Sequence, residues 1–103
     1  MSYAQSQRGK PYCWGGTGPS CYDCSGLTYA AWQHAGASIP RTSELQQQLL
    51  PNLPLEMAQP GDVVWRPGHV GLYVGNGWVI HSPQTGDVVK YERIDHYQVA
   101  LRP

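Results

Sequence analysis

Cys24 stands in the run Tyr22-Asp23-Cys24-Ser25-Gly26-Leu27, and two histidines, His69 and His81, follow far downstream. A cysteine is an effective nucleophile only as its thiolate, and the free N–H groups at a helix start or a nearby imidazolium stabilise that anion. The base for such a thiol comes from elsewhere in the fold, because it must approach the sulfur across a cleft. Cys24, His69 and His81 therefore outline a nucleophile, a distant base and a polar group that orients the base. Taken singly, a cysteine is more often a small buried hydrophobe and a histidine more often a satisfied side chain. Their joint placement on the elements that follow is what favours chemistry.

Those elements can be read from the residue pattern. Asp23, or the turn before it, can cap a helix in which Leu27, Ala30, Ala31, His34 and Ala35 recur at helical spacing, so a helix is expected from Cys24 to Ala35, ended by Gly36. From His69 to Val74 the pattern alternates, with His69, Gly71 and Tyr73 on one face and Val70, Leu72 and Val74 on the other. Asn76-Gly77 between two apolar runs is a hairpin signal, and the returning strand Trp78 to Ser82 brings His81 toward His69. Gly68 and Gly71, lacking side chains, would let a substrate backbone approach the base.

The remaining organisation is sparse. A short helix is expected near Tyr3 to Arg8, and a further one from Thr42 or Ser43, where Ser43 and Gln46 fit a capping box. Leu45 and Leu49 would form its packing face, Gln46, Gln47 and Gln48 would be exposed beside the cleft, and Pro51 and Pro54 would stop it. Further strands are expected at Val63 to Arg66, Val88 to Tyr91 and Val99 to Leu101. Helices first and an antiparallel sheet after give an α+β architecture. His34 lies about 15 Å along the helix axis from Cys24 and cannot be its base. His96 is expected on the surface.

The chain resembles the NlpC-type peptidoglycan endopeptidases, papain-like cysteine peptidases of bacteria and their phages. The resemblance rests on Gly9-Lys10-Pro11-Tyr12, Trp14-Gly15-Gly16, Asp23-Cys24-Ser25-Gly26-Leu27, Pro40-Arg41-Thr42, Gln59-Pro60-Gly61-Asp62-Val63-Val64, Gly68-His69-Val70-Gly71-Leu72-Tyr73-Val74-Gly75 and Ile80-His81-Ser82. It implies a papain-like fold with the nucleophile at a helix start packed on an antiparallel sheet. It further implies Cys24 as nucleophile, His69 as general base and His81 as the residue orienting it. Tyr12 is implied near the thiol, helping to hold the oxyanion or substrate, with Asp23 and Ser25 lining the cleft. The implied reaction is hydrolysis of a stem-peptide bond of bacterial peptidoglycan, commonly between D-glutamate and a diamino acid, with no metal and no cofactor. An amidase or acyltransferase with the same triad, or a module that binds cell-wall peptide without cutting it, are the competing readings.

Cys13 and Cys21 depart from that family pattern. Cys21-Tyr22-Asp23-Cys24 is formally a C-x-x-C, which elsewhere suggests a redox dithiol or half of a zinc site. The glycine-rich stretch before it is not the apolar strand a thioredoxin-like motif needs, and no second pair closes a zinc site. A Cys13–Cys21 bond that leaves Cys24 free is the expected pairing. A Cys21–Cys24 link, which would silence the nucleophile, is the alternative.

The chain has 103 residues, 41% of them hydrophobic, with four Trp and seven Tyr but no Phe. That is enough for one domain with its own core. Seven basic residues balance seven acidic ones, so the broad positive field that nucleic-acid binding exploits is absent. A monomer is expected. No apolar run is long enough to span a bilayer, and the first ten residues lack the apolar centre of a secretory signal. A start so close to the first family motif suggests a catalytic domain cut from a longer phage or bacterial lysin. It would act at the cell wall, either exported or released at lysis.

Overall fold

Asp23 begins the helix on which the site depends. Its side-chain Oδ1 accepts the Gly26 N–H at 2.6 Å, satisfying one of the unpaired donors of the first turn. The computed structural model describes residues 1–103. Helix α1 spans Ser2–Ser6, α2 spans Cys24–His34 and α3 spans Ser43–Leu49. Helix α2 stops one residue short of the expected end, with Ala35 as its cap and Gly36 in the left-handed region at φ 90°.

Six strands follow: β1 Asn52–Pro54, β2 Val63–Arg66, β3 His69–Gly75, β4 Trp78–His81, β5 Lys90–Arg93 and β6 Val99–Leu101. They form one antiparallel sheet in the order β1-β6-β2-β3-β4-β5. The β3–β4 hairpin turns through Asn76 and Gly77, both at positive φ (57° and 83°), as a primed turn requires. Strand β5 lies two residues beyond the expected Val88 to Tyr91, because Val88 forms an isolated bridge to Pro11 instead. The edge strand β1 had no alternation to announce it. Pro54, which cannot donate to a ladder, is tolerated there because the edge leaves one side unpaired.

The alternation along β3 separates two packing layers. Val70 and Leu72, with Val63, Ile80 and Leu101, meet Leu27, Ala30 and Ala31 of α2 in the main core. The opposite face carries Val64, Val79 and Tyr97, flanked by Leu55, Tyr73 and Ile94. Gly71 belongs to this second face, where a Cβ would press on Val79, the Tyr97 hydroxyl and His81. Its missing side chain serves packing behind the histidines rather than substrate access, contrary to the expectation. Gly68, at φ 76° with open space beside it, does line the cleft.

Helix α3 reverses the expected polarity. Leu45 and Leu49 are 42% and 67% exposed, whereas Gln46 is fully buried. Gln46 Oε1 accepts from Thr28 Oγ1 at 3.0 Å, and its Nε2 donates to the carbonyls of Pro40 at 2.9 Å and Ser25 at 3.4 Å. The cap is Thr42, whose hydroxyl accepts the Leu45 N–H, one residue before the expected box. A glutamine whose amide is satisfied on both sides can occupy an interior position. It ties α3 to the first turns of α2.

Candidate active site

Cys24 is the first residue of α2, held by a dense set of bonds around Asp23. Asp23 Oδ2 accepts the Gly15 N–H at 3.1 Å, and Arg41 donates to both carboxylate oxygens. Arg41 Nη1 also donates to Ser25 Oγ at 2.9 Å. The loop before the helix is closed by a Cys13–Cys21 disulfide, and Cys24 is the free cysteine. The Asp23 N–H donates to the Gly16 carbonyl at 3.0 Å. A Cβ on Gly26 would run into that carbonyl, so a residue without a side chain is needed for the loop to lie on the helix start.

Burial pushes the Cys24 thiol up, and the Asp23 charge adds to this, while the backbone N–H groups of Val70, Ser25 and Cys24 itself pull the other way. The net direction is upward, opposite to what a helix start alone suggests, because loss of hydration outweighs the local amides. Cys24 is therefore a thiol at rest. Its closeness to the Val70 amide brings it to the beginning of β3, beside His69 in the chain.

His69 and His81 are both buried. His69 Nε2 lies 2.9 Å from His81 Nδ1, and the rings meet edge to face with centroids 5.1 Å apart. With Nε2 turned to His81, Nδ1 is the His69 nitrogen left out of that contact. Burial, followed by the charges of His81 and Arg66, brings the His69 pKa down to about 4. The imidazole is neutral at pH 7, the form that accepts a proton. Burial also lowers the pKa of His81, against the opposing pull of Glu92.

The cleft in front of the thiol measures about 470 Å³ and is lined by Tyr12, Asp23, Cys24, Ser25 and Arg41. Burial first, then the neighbouring Cys24 and Asp23, raise the Tyr12 phenol, which keeps its proton and can donate it. Trp14, 92% exposed, stands on the same rim.

Two residues of the constellation carried no sequence signal of their own. Glu92 Oε2 lies 3.0 Å from His81 Nδ1, and Tyr97 donates its hydroxyl to the same oxygen at 2.9 Å while its ring stacks on His69. Glu92 pairs across the sheet with Val79, so alternation from His81 would have placed it on the histidine face had β5 been drawn two residues later. His96 is mostly exposed and touches the site only through Glu92 Oε1 at 2.8 Å. His34 stacks on Tyr3, away from the cleft. His69, His81 and Glu92 offer ligand atoms within 4.8 Å of one another. The hydrogen bonds His69–His81 and His81–Glu92 account for that closeness.

The NlpC/P60 family matches residues 9–101. The chain belongs to the NlpC/P60 family. It is 44% identical over 99 residues to a probable endopeptidase p60 of Listeria monocytogenes, covering 91% of this chain and 20% of that protein. It thus spans about a fifth of that relative's length. Its fold is similar to the NlpC/p60 domain of the peptidoglycan hydrolase SagA, with TM-score 0.87, 32% identity and coverage of 99% of this chain and 94% of the other. An NlpC/P60 family protein from Bacillus cereus gives TM-score 0.90 at 31% identity, covering 98% and 38% of the two chains. The NlpC/P60 match encloses Tyr12, Asp23, Cys24, Ser25, His69 and His81, as well as Glu92 and Tyr97. The fold is the papain-like one, with the cysteine at a helix start against an antiparallel sheet. No helix is long and apolar enough to cross a membrane.

Proposed function

We propose that residues 1–103 act as one cysteine peptidase domain that hydrolyses a stem-peptide bond of bacterial peptidoglycan, the bond between D-glutamate and a diamino acid. The observation that carries this reading is the buried His69–His81 hydrogen bond at 2.9 Å, on a strand whose Val70 amide faces the Cys24 thiol, in an NlpC/P60 chain. The names of similar proteins, a probable endopeptidase p60 and the peptidoglycan hydrolase SagA, support the substrate class.

In this reading the Cys24 proton passes to His69 Nδ1 as the sulfur attacks the acyl carbon. Backbone N–H groups at the start of α2 and the Tyr12 hydroxyl stabilise the tetrahedral oxyanion. His69 then protonates the leaving amine, and the acyl group remains on sulfur as a thioester. A water deprotonated by His69 attacks the thioester and restores the thiol. His81 holds the His69 ring and fixes which nitrogen faces the thiol. Asp23, Ser25 and Arg41 shape the polar side of the cleft, where peptide groups are bound. One chain supplies the whole constellation, which supports a monomeric enzyme acting at the cell wall.

Mass analysis of muropeptides after incubation tests this directly. Fragments that together exceed the parent by one water, with a new amine on the diamino acid, are expected from the wild type and absent for Cys24→Ala. Intact muropeptides, or equal cleavage by Cys24→Ala, would refute it. Products joined to an added amine instead of water would identify acyl transfer.

A further inference from the structure

One nitrogen of His81 faces His69, Glu92 and, at 3.4 Å, the Tyr97 hydroxyl. Its Nδ1 is 2.9 Å from His69 Nε2 and 3.0 Å from Glu92 Oε2. A carboxylate can only accept, so the approach to Oε2 is satisfied once His81 Nδ1 carries a proton, as it does when the His69 Nε2 proton is passed across the 2.9 Å contact. The carboxylate is itself held on three further sides. Tyr97 donates to Oε2 at 2.9 Å, while Arg66 at 3.2 Å and His96 at 2.8 Å engage Oε1. Arg66 also lies over the Tyr97 ring, 4.8 Å from its centroid. Glu92 does not line the cleft with Cys24. It stands on the far side of the histidine pair, over a depression it shares with Arg66, His81 and His96.

We propose that Glu92 is a positioning residue that acts through His81, serving as counter-ion when the histidine pair takes up the thiol proton. The proposal rests on the reading of Cys24 and His69 as nucleophile and base. The proton count is simple. The neutral pair holds two N–H protons; when the Sγ–H bond breaks and an N–H bond forms on His69, the pair holds three and carries one positive charge. That charge arises in a buried place where ions are costly. The groups around the pair are Arg66 from β2, Asp87 and Lys90 from the β4–β5 connection and the start of β5, and His96 and Tyr97 beyond β5, with Cys24 of α2 acting on Tyr97. Arg66 and Lys90 oppose a positive charge there, and Asp87 is already paired with Lys90 at 2.9 Å. Glu92 is the acceptor in direct contact. Although burial works against its charge, bonds from His96 and Tyr97 and the charges of His81 and Arg66 hold its pKa at about 2. It stays ionised wherever the histidines titrate.

The test is the pH dependence of iodoacetamide alkylation at Cys24, run beside muropeptide turnover and thermal melts for wild type, Glu92→Gln, Glu92→Asp and Glu92→Ala. Removing a negative charge favours the less protonated forms, so in Glu92→Gln both limbs of the profile should move to lower pH. The acid limb should move most, by about half a unit or more. Because Glu92 is nearer the histidines than the sulfur, the thiolate–imidazolium fraction should fall, and the plateau rate with it, by about tenfold. Glu92→Asp should keep the limbs near their wild-type positions. A lower rate with unmoved limbs would make Glu92 merely structural and overturn the proposal, as would an unchanged profile. Nitrogen NMR of histidine-labelled wild type needs no variant that folds: as pH falls through the acid limb, the proton should be shared onto His81 Nδ1, and an Nδ1 that stays bare below the limb would sink the idea. Failure of the wild type to cut muropeptides while the limbs still shift would refute the substrate reading alone.

Discussion

Arg41 grips Asp23 with both ends of its guanidinium, Nη2 to Oδ2 at 2.9 Å and Nη1 to Oδ1 at 3.1 Å. The same carboxylate caps α2 and holds Gly15, so one side chain joins the Cys24 helix, the loop before it and the approach to α3. Asp23→Ala should remove the cap, costing about 1 kcal/mol, and lower the melting temperature by about 4–8 °C. Arg41→Ala leaves the cap intact and sits in a partly exposed pair, so its thermal effect should be smaller. Its effect on kcat/KM should nevertheless reach about tenfold, because Arg41 and Ser25 border the cleft. Melts and muropeptide kinetics on the two variants separate the roles; equal melting losses would contradict this division.

The histidines make stability depend on acid. His69 has a folded pKa of about 4 against 6.5 for an unperturbed histidine. Between these values the unfolded chain binds more protons, so the stability His69 provides is complete above pH 6.5 and is lost as pH falls to 4. Glu92, at about 2 against 4.5, extends the loss from pH 4.5 downward. Melting temperature should therefore fall steadily on acidification from pH 6.5, and His69→Gln should flatten the upper part of that slope. Hydrolysis should show an acid limb near pH 4, where His69 ceases to be a free base. A limb above pH 6 would contradict the burial of His69.

Gln46 offers a sharp contrast with its neighbours. Gln46→Leu keeps the volume but strands the Pro40 carbonyl formerly bonded to it, while the Thr28 hydroxyl keeps only its bond to the Ser25 carbonyl. An unsatisfied buried polar group costs about 1–3 kcal/mol, so this apolar substitution should destabilise markedly. Leu49→Gln, on the exposed side, should change stability by no more than about 0.5 kcal/mol. Denaturant titrations rank the two; the reverse order would restore the amphipathic reading of α3.

The disulfide gives a prediction of its own. Cys13 and Cys21 are eight residues apart in sequence, and closing a loop of that size removes unfolded-state entropy worth about 2–3 kcal/mol. Mild reduction, or the double variant Cys13→Ser with Cys21→Ser, should lower the melting temperature and leave catalysis measurable. Under non-reducing conditions a thiol reagent should add a single mass increment, at Cys24. Two increments, or none, would contradict the pairing.

What the sequence revealed and what it hid follow a physical line. Asp23, Cys24 and the Asn76-Gly77 turn are specified by neighbours a few residues away, through capping and turn chemistry, and alternation alone put His69 and His81 on one face. Cys13 and Cys21 are likewise joined across a short loop. Glu92 and Tyr97 reach His81 and His69 only after β4 and β5 have paired and the 3₁₀ turn at Ile94–His96 has brought Tyr97 back over the sheet. No local pattern encodes that return. Gln46 was hidden for another reason: hydropathy scores the residue, whereas its burial depends on partners contributed by Thr28, Pro40 and Ser25.

The Gly16 carbonyl that accepts the Asp23 N–H has a consequence for how the site comes into being. Cys24 is placed by short-range contacts, the disulfide loop, the cap and the first turn of α2, while the two histidines are placed by a hairpin twelve residues across. Each half can form within its own stretch of chain at little loop-closure cost. Only the packing of α2 on β3, through Leu27, Ala30, Val70 and Leu72, brings the sulfur to the strand that carries His69. A chain with both halves formed but undocked would carry a solvated thiol and no catalysis. Under the proposed function, hydrolytic activity is a reporter of one tertiary docking event, and alkylation of Cys24 without turnover would mark the species in which that event has not yet occurred.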